Sequence, residues 1–351
     1  MTEDDGILRE PPSDTGAADI RARTFGSGRD DDGSRERSAV PRAEFGSYYG
    51  RPVLKPPVWE WKVPAYLFTG GLSAGAALLA AGADLTGRPA LRRASRLGSF
   101  GALVASMYLL IADLGRPERF HHMLRVAKPS SPMSVGTWIL VAYGPGNGLA
   151  ATAELLPASL RATLPGRLLR MAARPAGLSA AALAPGLASY TAVLLSQTAA
   201  PAWHEAHKEL PFVFTGSAAA SGGGLGMLLA PVAEAGPARR LGAAGAAAEL
   251  LASRLIDRRP GLVTKAYTTG RAHHLRRASE YLTLGGAVAA VSVARRSRLA
   301  AAAAGLALLA GSALQRFGTF EAGVASTKDP AYVVVPQRER LEAADSERRG
   351  S

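Results

Sequence analysis

The sequence predicts an all-α protein that crosses a membrane several times. Long segments rich in Ala, Leu, Gly and Val recur over residues 64–317, and the charged residues there lie almost wholly between these segments. A helix needs about 20 mainly apolar residues to cross a bilayer. Glycines four residues apart, at Gly71/Gly75 and Gly222/Gly226, are typical of closely packed membrane helices. These features oppose the alternative, a soluble and Ala-rich helical protein. Tryptophans near the segment ends indicate membrane interfaces, and they are Trp59, Trp61, Trp138 and Trp203.

Eight segments are candidates for membrane spans. The sixth is weakened by Glu249 in its middle, and the seventh is short. An even number of spans places both termini on one side, but the positive charges of the connecting loops do not decide which side that is. The eight segments cover residues 64–84, 96–112, 133–156, 178–198, 211–233, 238–256, 280–295 and 298–316.

The chain divides into a transmembrane domain and two polar tails. Residues 1–55 are rich in Asp, Arg, Gly and Ser, and we expect them to be disordered because they offer little apolar surface to bury. They also contain no apolar segment of the kind found in a signal peptide. The transmembrane domain is predicted over residues 56–330, and a polar C-terminal tail follows over residues 331–351.

The net charge of +13 comes from the membrane part of the chain. Residues 56–330 hold 28 basic and 13 acidic side chains. We interpret the excess as arginines and lysines in loops that face anionic lipid headgroups, since they are not interleaved with exposed aromatic residues. No nucleic-acid partner is predicted.

The numbers and positions of cysteine and histidine limit which metal cofactors the chain can bind. The chain has no cysteine, so it cannot hold an iron–sulfur cluster through thiolates. Its six histidines all fall in predicted links, whereas a membrane b-type haem needs histidines from facing helices, so we predict no haem. His204 and His207 have the spacing of a metal pair on a helix, but two interfacial histidines are the favoured interpretation. The glycine-rich run at residues 222–226 lacks the Lys-Ser/Thr of a phosphate loop.

Three stretches resemble the NrfD/polysulfide-reductase membrane-subunit family. The first is Trp59-x-Trp61-x-x-Pro64-x-Tyr66 with Leu67-Phe68-x-Gly70-Gly71. The second, which is the most specific, is Asp113-Leu114-Gly115-Arg116-Pro117 followed by Pro129-x-Ser131-Pro132-Met133-Ser134-x-Gly136-x-Trp138. The third is Arg316-Phe317-x-x-Phe320-x-Ala322-Gly323, leading to Ser326-x-x-Asp329-Pro330.

This resemblance implies an architecture and a function. Proteins of this family have about eight transmembrane helices in two four-helix bundles and bind no haem. They anchor an iron–sulfur subunit, which often serves a molybdopterin-type catalytic subunit, and exchange electrons with menaquinone or ubiquinone. The chain is therefore expected to be the quinone-reactive anchor of an oxidoreductase in the cell membrane. A multi-pass transporter and a structural anchor without quinone are the alternatives.

Five residues near the side that holds both termini are candidates for the quinone site. Tyr66 and His121 would supply hydrogen bonds and protons to the quinone carbonyls. Asp113 and Arg116 would hold the shape of the turn after the second span, and Trp138 would form an aromatic wall.

Two carboxyl groups are candidates for a proton path. Glu154 lies at the end of the third span and Glu249 lies deep in the sixth. Ionisable groups within a membrane are often functional, although a neutral, hydrogen-bonded glutamic acid is an equally consistent interpretation for Glu249.

Overall fold

A computed structural model describes residues 53–350 of the protein, with side chains through residue 348. The predicted disorder of residues 1–55 falls almost entirely outside this part. The described part is helical. Its long helices are α1 (Lys62–Leu85), α2 (Pro89–Ala112), α3 (Pro132–Leu155), α4 (Leu164–Ser196), α5 (Leu210–Leu229), α6 (Gly236–Asp257), α7 (Gly270–Ser292), α8 (Arg298–Lys328) and α9 (Ala331–Gly350). Helix α9 covers the predicted polar tail.

Five of these helices are long and apolar enough to cross a membrane: α1, α2, α4, α5 and α8. Helices α3, α6 and α7 also coincide with predicted spans but are less apolar. The reason is visible in the sequence, since α6 carries Glu249 and three arginines, and the first third of α7 is charged. Helices α1 and α5 are the most deeply buried of the five, and α2 is the least buried.

Most of the long helices begin at residues that favour a helix start. Proline occupies the first or second position of α2, α3, α4, α5 and α6, where its missing N–H costs nothing. The Thr163 hydroxyl accepts a hydrogen bond from the Gly166 amide at the start of α4, and Ser297 accepts one from Ala300 at the start of α8. The local sequence therefore determines where these helices begin.

Consecutive helices pack as antiparallel neighbours and form two groups of contacts. In the first group α1 packs on α2 and α4, and α3 packs on α4 and α2. In the second group α5 packs on α6 and α8, and α7 packs on α8 and α6. Helix α1 also contacts α5 and α8, which joins the groups. We call the end where α1 begins the proximal face and the end where α1 ends the distal face.

Glycine permits the close approach of α1 and α5 at the junction of the two groups. A Cβ atom added to Gly75 would lie 1.8 Å from the Ala218 carbonyl oxygen, and one added to Gly222 would lie 2.3 Å from the Gly75 carbonyl carbon. Only glycine fits at such distances. The spacing of small residues correctly predicted this contact, and the glycine-rich run lies within a helix.

Trp203 differs from its predicted place at a membrane interface. It is fully buried on the proximal side, and its indole N–H donates to the Thr319 carbonyl at 2.7 Å. Trp59 stacks on it with ring centroids 5.9 Å apart, and Phe320 packs on its other side. The sequence of the short helix Pro201–Glu205 does not reveal this, because the partner residues come from α8.

Candidate functional site

Two tyrosines and a carboxylate lie together near the proximal ends of α1, α2 and α4. Tyr66 is 6% exposed, and its hydroxyl interacts electrostatically with Tyr190 and Asp113. Because α1 begins and α2 and α4 end on this face, these three residues lie at a similar depth although they are distant in sequence. We call Tyr66, Asp113 and Tyr190 the proximal cluster.

Neighbouring helices hold the two tyrosines in place. The Ser106 hydroxyl of α2 donates to the Tyr66 carbonyl at 3.2 Å. The Tyr190 ring lies against Gly136 of α3, where an added Cβ would approach its Cε2 atom to 2.2 Å. All four helices of the first group therefore contribute to this region.

Asp113 directly follows the last residue of α2 and lies in the turn outside that helix. Partial burial raises the pKa of its carboxyl group above the usual range, the nearby positive charge of Lys62 opposes this, and Glu60 adds to it. Lys62 forms its own ion pair with Glu60 at 3.3 Å. Within residues 53–350, Asp113 and Arg116 do not form an ion pair with each other. The positive charge that acts on the Asp113 carboxylate is that of Lys62.

The other three predicted quinone-site residues lie further out on the same face. Arg116 and His121 are exposed, and His121 belongs to the 3₁₀-helix Pro117–Leu124. Trp138 is 41% exposed on α3, and its indole N–H donates to the Val126 carbonyl at 3.3 Å. The structure thus brings Tyr66 and Asp113 together, adds Tyr190, and leaves Arg116, His121 and Trp138 at the rim.

A buried polar network lies deeper in the first group of helices. The Tyr143 hydroxyl is 2.8 Å from the Ser73 hydroxyl and 3.0 Å from the Ser99 hydroxyl. The Asn147 amide donates to Ser99 and to Tyr143, each at 2.9 Å. Ser73 follows Tyr66 by seven residues along α1, which places the network about 10 Å deeper than the proximal cluster. Tyr143 and Asn147 are four residues apart, a spacing that puts both on one side of α3.

Glu154 belongs to an ion cluster at the distal end of the same group. It accepts hydrogen bonds from Arg92 at 2.8 Å and from Arg96 at 3.0 Å. Asp84 lies within 3.3 Å of Arg92 and 3.5 Å of Arg96. This predicted proton-path residue is therefore held by two guanidinium groups.

Glu249 lies in the second group of helices and is 2% exposed. One of its carboxyl oxygens is buried without a hydrogen-bond partner. A cavity of about 170 Å³ connects this residue with polar groups at the proximal end, including Asp257, His273 and Arg276. Glu154 and Glu249 are thus in different helix groups, and the structure does not bring them together.

Arg316 is buried in the same region, contrary to its predicted place at the end of the last span. Helix α8 continues to Lys328, twelve residues beyond the predicted limit. The Arg316 side chain is 1% exposed, donates to the Phe214 carbonyl at 2.8 Å, and lies 3.7 Å from the centre of the Phe214 ring. Arg316 therefore lies inside a continuous helix and is buried by neighbouring helices, whereas the sequence predicted it at the membrane boundary.

The histidines lie on the proximal face, as predicted, but two of them are within a long helix. Helix α7 begins ten residues before the predicted seventh span, so His273 and His274 occupy its first turns. Over the described range 53–350, no three His, Cys, Asp or Glu side chains are grouped to hold a metal ion.

Sequence comparison places this helical arrangement in a known family. Residues 53–250 match the family described as "Polysulphide reductase, NrfD", which is more than half of the chain. The chain belongs to the NrfD family. The matched region of this NrfD protein includes the proximal cluster, Glu154 and Glu249, whereas Arg316 lies outside it.

The NrfD protein is also similar to one subunit of the polysulfide reductase of Wolinella succinogenes. The two are 33% identical over 152 residues, which is 40% of this chain and 48% of the relative. The matched region thus spans about half the length of this curated relative. Family membership together with five apolar helices makes the chain a multi-pass membrane protein.

Proposed function

We propose that this NrfD protein is the quinone-reactive anchor of an oxidoreductase complex in the cell membrane. Menaquinone or ubiquinone would bind at the proximal cluster, and electrons would pass between it and the partner subunits. The chain contains no cysteine for iron–sulfur clusters, so an iron–sulfur subunit and a molybdopterin-type catalytic subunit would carry the electrons on the other side of the quinone.

The observation that carries this proposal is that Tyr190 and Asp113, from two other helix ends on the proximal face, both lie within electrostatic range of the Tyr66 hydroxyl. A quinone has two carbonyl oxygens that need hydrogen-bond donors, and its reduction to a quinol takes up two protons. Phenol groups donate hydrogen bonds, and a carboxyl group can donate or accept a proton. Partial burial raises the pKa of the Asp113 carboxyl group above that of a free aspartate.

The rim of the cluster would receive the quinone and the partner. His121 would be a second hydrogen-bond and proton partner, Trp138 an aromatic wall, and Arg116 a charged group at the entrance. The charged turn over residues 113–132 is exposed for most of its length and offers contacts to a soluble iron–sulfur subunit on the proximal face.

We further propose eight membrane spans, α1–α8, arranged as two four-helix bundles. The two groups of helix contacts support this arrangement. Helices α3, α6 and α7 would be the less apolar spans, each with some polar residues buried against protein. Asn147 of α3 and Glu249 of α6 are both buried.

A proton path through the second bundle would include Glu249. The cavity next to it opens towards the proximal face, and its unpartnered oxygen can accept a proton or a water. Glu154 would belong to a separate proton path at the distal end of the first bundle. Its ion pairs with two arginines hold its side chain more firmly than that of Glu249.

The test of the quinone proposal compares two activities of the purified complex. Tyr66→Phe, Tyr190→Phe and His121→Ala each remove a hydrogen-bonding group, a loss worth about 1–3 kcal/mol. Quinol-coupled activity should fall about tenfold or more, whereas dye-coupled activity of the catalytic partner should not change. Tyr108→Phe is the matched control, because Tyr108 is 71% exposed at the same end of α2. Unchanged quinone kinetics in all three variants, with normal assembly, would place the site elsewhere.

A further inference from the structure

Four arginines converge on the distal face, away from the proximal cluster. Arg88 lies in the turn between α1 and α2, Arg239 and Arg240 lie in the first turn of α6, and Arg295 lies in the link between α7 and α8. The charge of Arg239 is repelled by the charges of the other three, so each of them lies within electrostatic range of Arg239. We call them the arginine cluster.

Two arginines of the cluster lie beside Gly236, the first residue of α6. An ideal Cβ at Gly236 would lie 3.8 Å from Nη2 of Arg239 and 3.9 Å from Nη1 of Arg88. The two guanidinium groups therefore flank this position without filling it. The amino-terminal end of a helix carries a partial positive charge of its own, which adds to that of the arginines.

The side chains of the cluster have no acidic partner among the described residues. Arg88 donates weakly to the carbonyls of Ala233 and Glu234, each at 3.4 Å, and Arg239 donates to that of Val232 at 3.2 Å. The Nε atom of Arg88 is buried with no hydrogen-bond partner.

The nearest carboxylate is engaged elsewhere. The Glu234 side chain accepts from the backbone amides of Ala90 and Leu91, at 2.8 and 3.0 Å, and so caps the start of α2. The Glu234 charge therefore stabilises the start of α2, and it does not neutralise the arginines of the cluster.

Three other arginines on this face are neutralised by carboxylates of the first helix group. Arg92 and Arg96 pair with both Asp84 and Glu154, and Arg174 pairs with Asp84. The distal face thus contains a paired set in the first helix group and an unpaired set beside α6.

We propose that the arginine cluster binds the phosphate headgroup of an anionic phospholipid from the surrounding bilayer. The cluster lies where the apolar helices α1 and α5 end and α2 and α8 begin, which is the depth of lipid phosphates. Guanidinium groups bind phosphate oxygens through paired hydrogen bonds. A lipid held here bridges both helix groups, because Arg88 belongs to the first group and the other three arginines to the second.

Native mass spectrometry of the purified protein in neutral detergent tests this proposal. The protein is titrated with dimyristoyl phosphatidylglycerol and, separately, with dimyristoyl phosphatidylcholine. We expect one tightly retained phosphatidylglycerol per chain and no equivalent phosphatidylcholine. A charge near anionic lipid contributes about a fivefold change in affinity, so Arg295→Gln should weaken retention about fivefold and Arg239→Gln/Arg295→Gln about 25-fold.

Matched variants separate the cluster from general surface charge. Arg93→Gln and Arg258→Gln each remove an exposed arginine outside the cluster and should leave retention unchanged. Arg239→Lys/Arg295→Lys keeps the charge but loses the paired hydrogen bonds, so it should retain the lipid better than Arg239→Gln/Arg295→Gln and less well than the wild type, and it also controls for folding. Equal retention of the two lipids, or an equal effect of Arg93→Gln and Arg295→Gln, would overturn the proposal. Displacement of the lipid by millimolar inorganic phosphate would also overturn it, because the site would then be one for a free anion.

Discussion

The aromatic ring of Tyr190 lies directly against the α-carbon of Gly136. An added Cβ at Gly136 would be 2.2 Å from one ring carbon and 2.4 Å from the next. This contact joins α3 to α4 at the depth of Tyr66. Because Gly136 belongs to the stretch that resembles the family motif, the contact links a motif residue to the proximal cluster.

Gly136→Ala should displace the Tyr190 ring. Overpacking of this kind costs about 1–3 kcal/mol, and the thermal midpoint of the protein should fall. If Tyr190 contacts quinone, quinol-coupled activity should fall while dye-coupled activity remains. Gly144→Ala on the same helix is the control, since its Cβ would meet nothing closer than Leu103 at 4.0 Å. Equal behaviour of the two variants would contradict this role of Gly136.

Gly75→Ala should destabilise the contact between α1 and α5. The atom that it would meet is the backbone carbonyl oxygen of Ala218, which cannot move as a side chain can. A cost of about 1–3 kcal/mol is expected. Gly82→Ala on the same helix has open space and should be neutral or stabilising by up to about 1 kcal/mol. Thermal unfolding in detergent measures both, and a Gly75→Ala variant as stable as Gly82→Ala would show that the helices do not meet here.

Glu154→Gln should test whether this residue is structural. Removing its charge weakens two hydrogen bonds to Arg92 and Arg96, but Asp84 remains as their partner. The expected loss of stability is therefore about 1–3 kcal/mol. Glu280→Gln weakens two more exposed ion pairs, with Arg277 and Arg254, and should cost less than about 1 kcal/mol. Loss of proton-coupled activity in Glu154→Gln without loss of stability would instead support a direct role in proton transfer.

Asp113→Asn should change how stability depends on pH. Partial burial raises the pKa of this carboxyl in the folded state, so the folded protein binds the proton more tightly than the unfolded chain. The wild type should therefore lose stability relative to the Asn variant as pH rises above about 4, through the raised pKa. Thermal midpoints of both proteins between about pH 3.5 and 7 measure this. If the wild type instead became more stable relative to the variant as pH rises, the charge of Lys62 would outweigh the effect of burial on the Asp113 pKa.

The sequence predicted the positions of the helices better than it predicted which helices pack against one another. Apolar segments located α1–α8, because this signal is local. The starts of α4 and α7 and the end of α8 were misplaced by ten or more residues. In α8 the polar residue Arg316 continues the helix because neighbouring helices bury it. No local pattern indicates that burial.

The candidate site was predictable only in part. Tyr66 and Asp113 were identified by their positions at helix ends on one face. Tyr190 was not among the five candidates, because its contact with Gly136 depends on how α3 and α4 pack. The network around Tyr143 and the arginine cluster likewise join residues that are distant in sequence.

Photolabelling with an azido-quinone tests the central proposal most directly. The purified complex is irradiated with the label, with and without excess unlabelled quinone, and modified peptides are identified by mass spectrometry. The quinone proposal predicts competed labels on peptides that contain Tyr66, Tyr190 or residues 113–138. Competed labels confined to the cavity beside Glu249, or to residues 196–207, would contradict it.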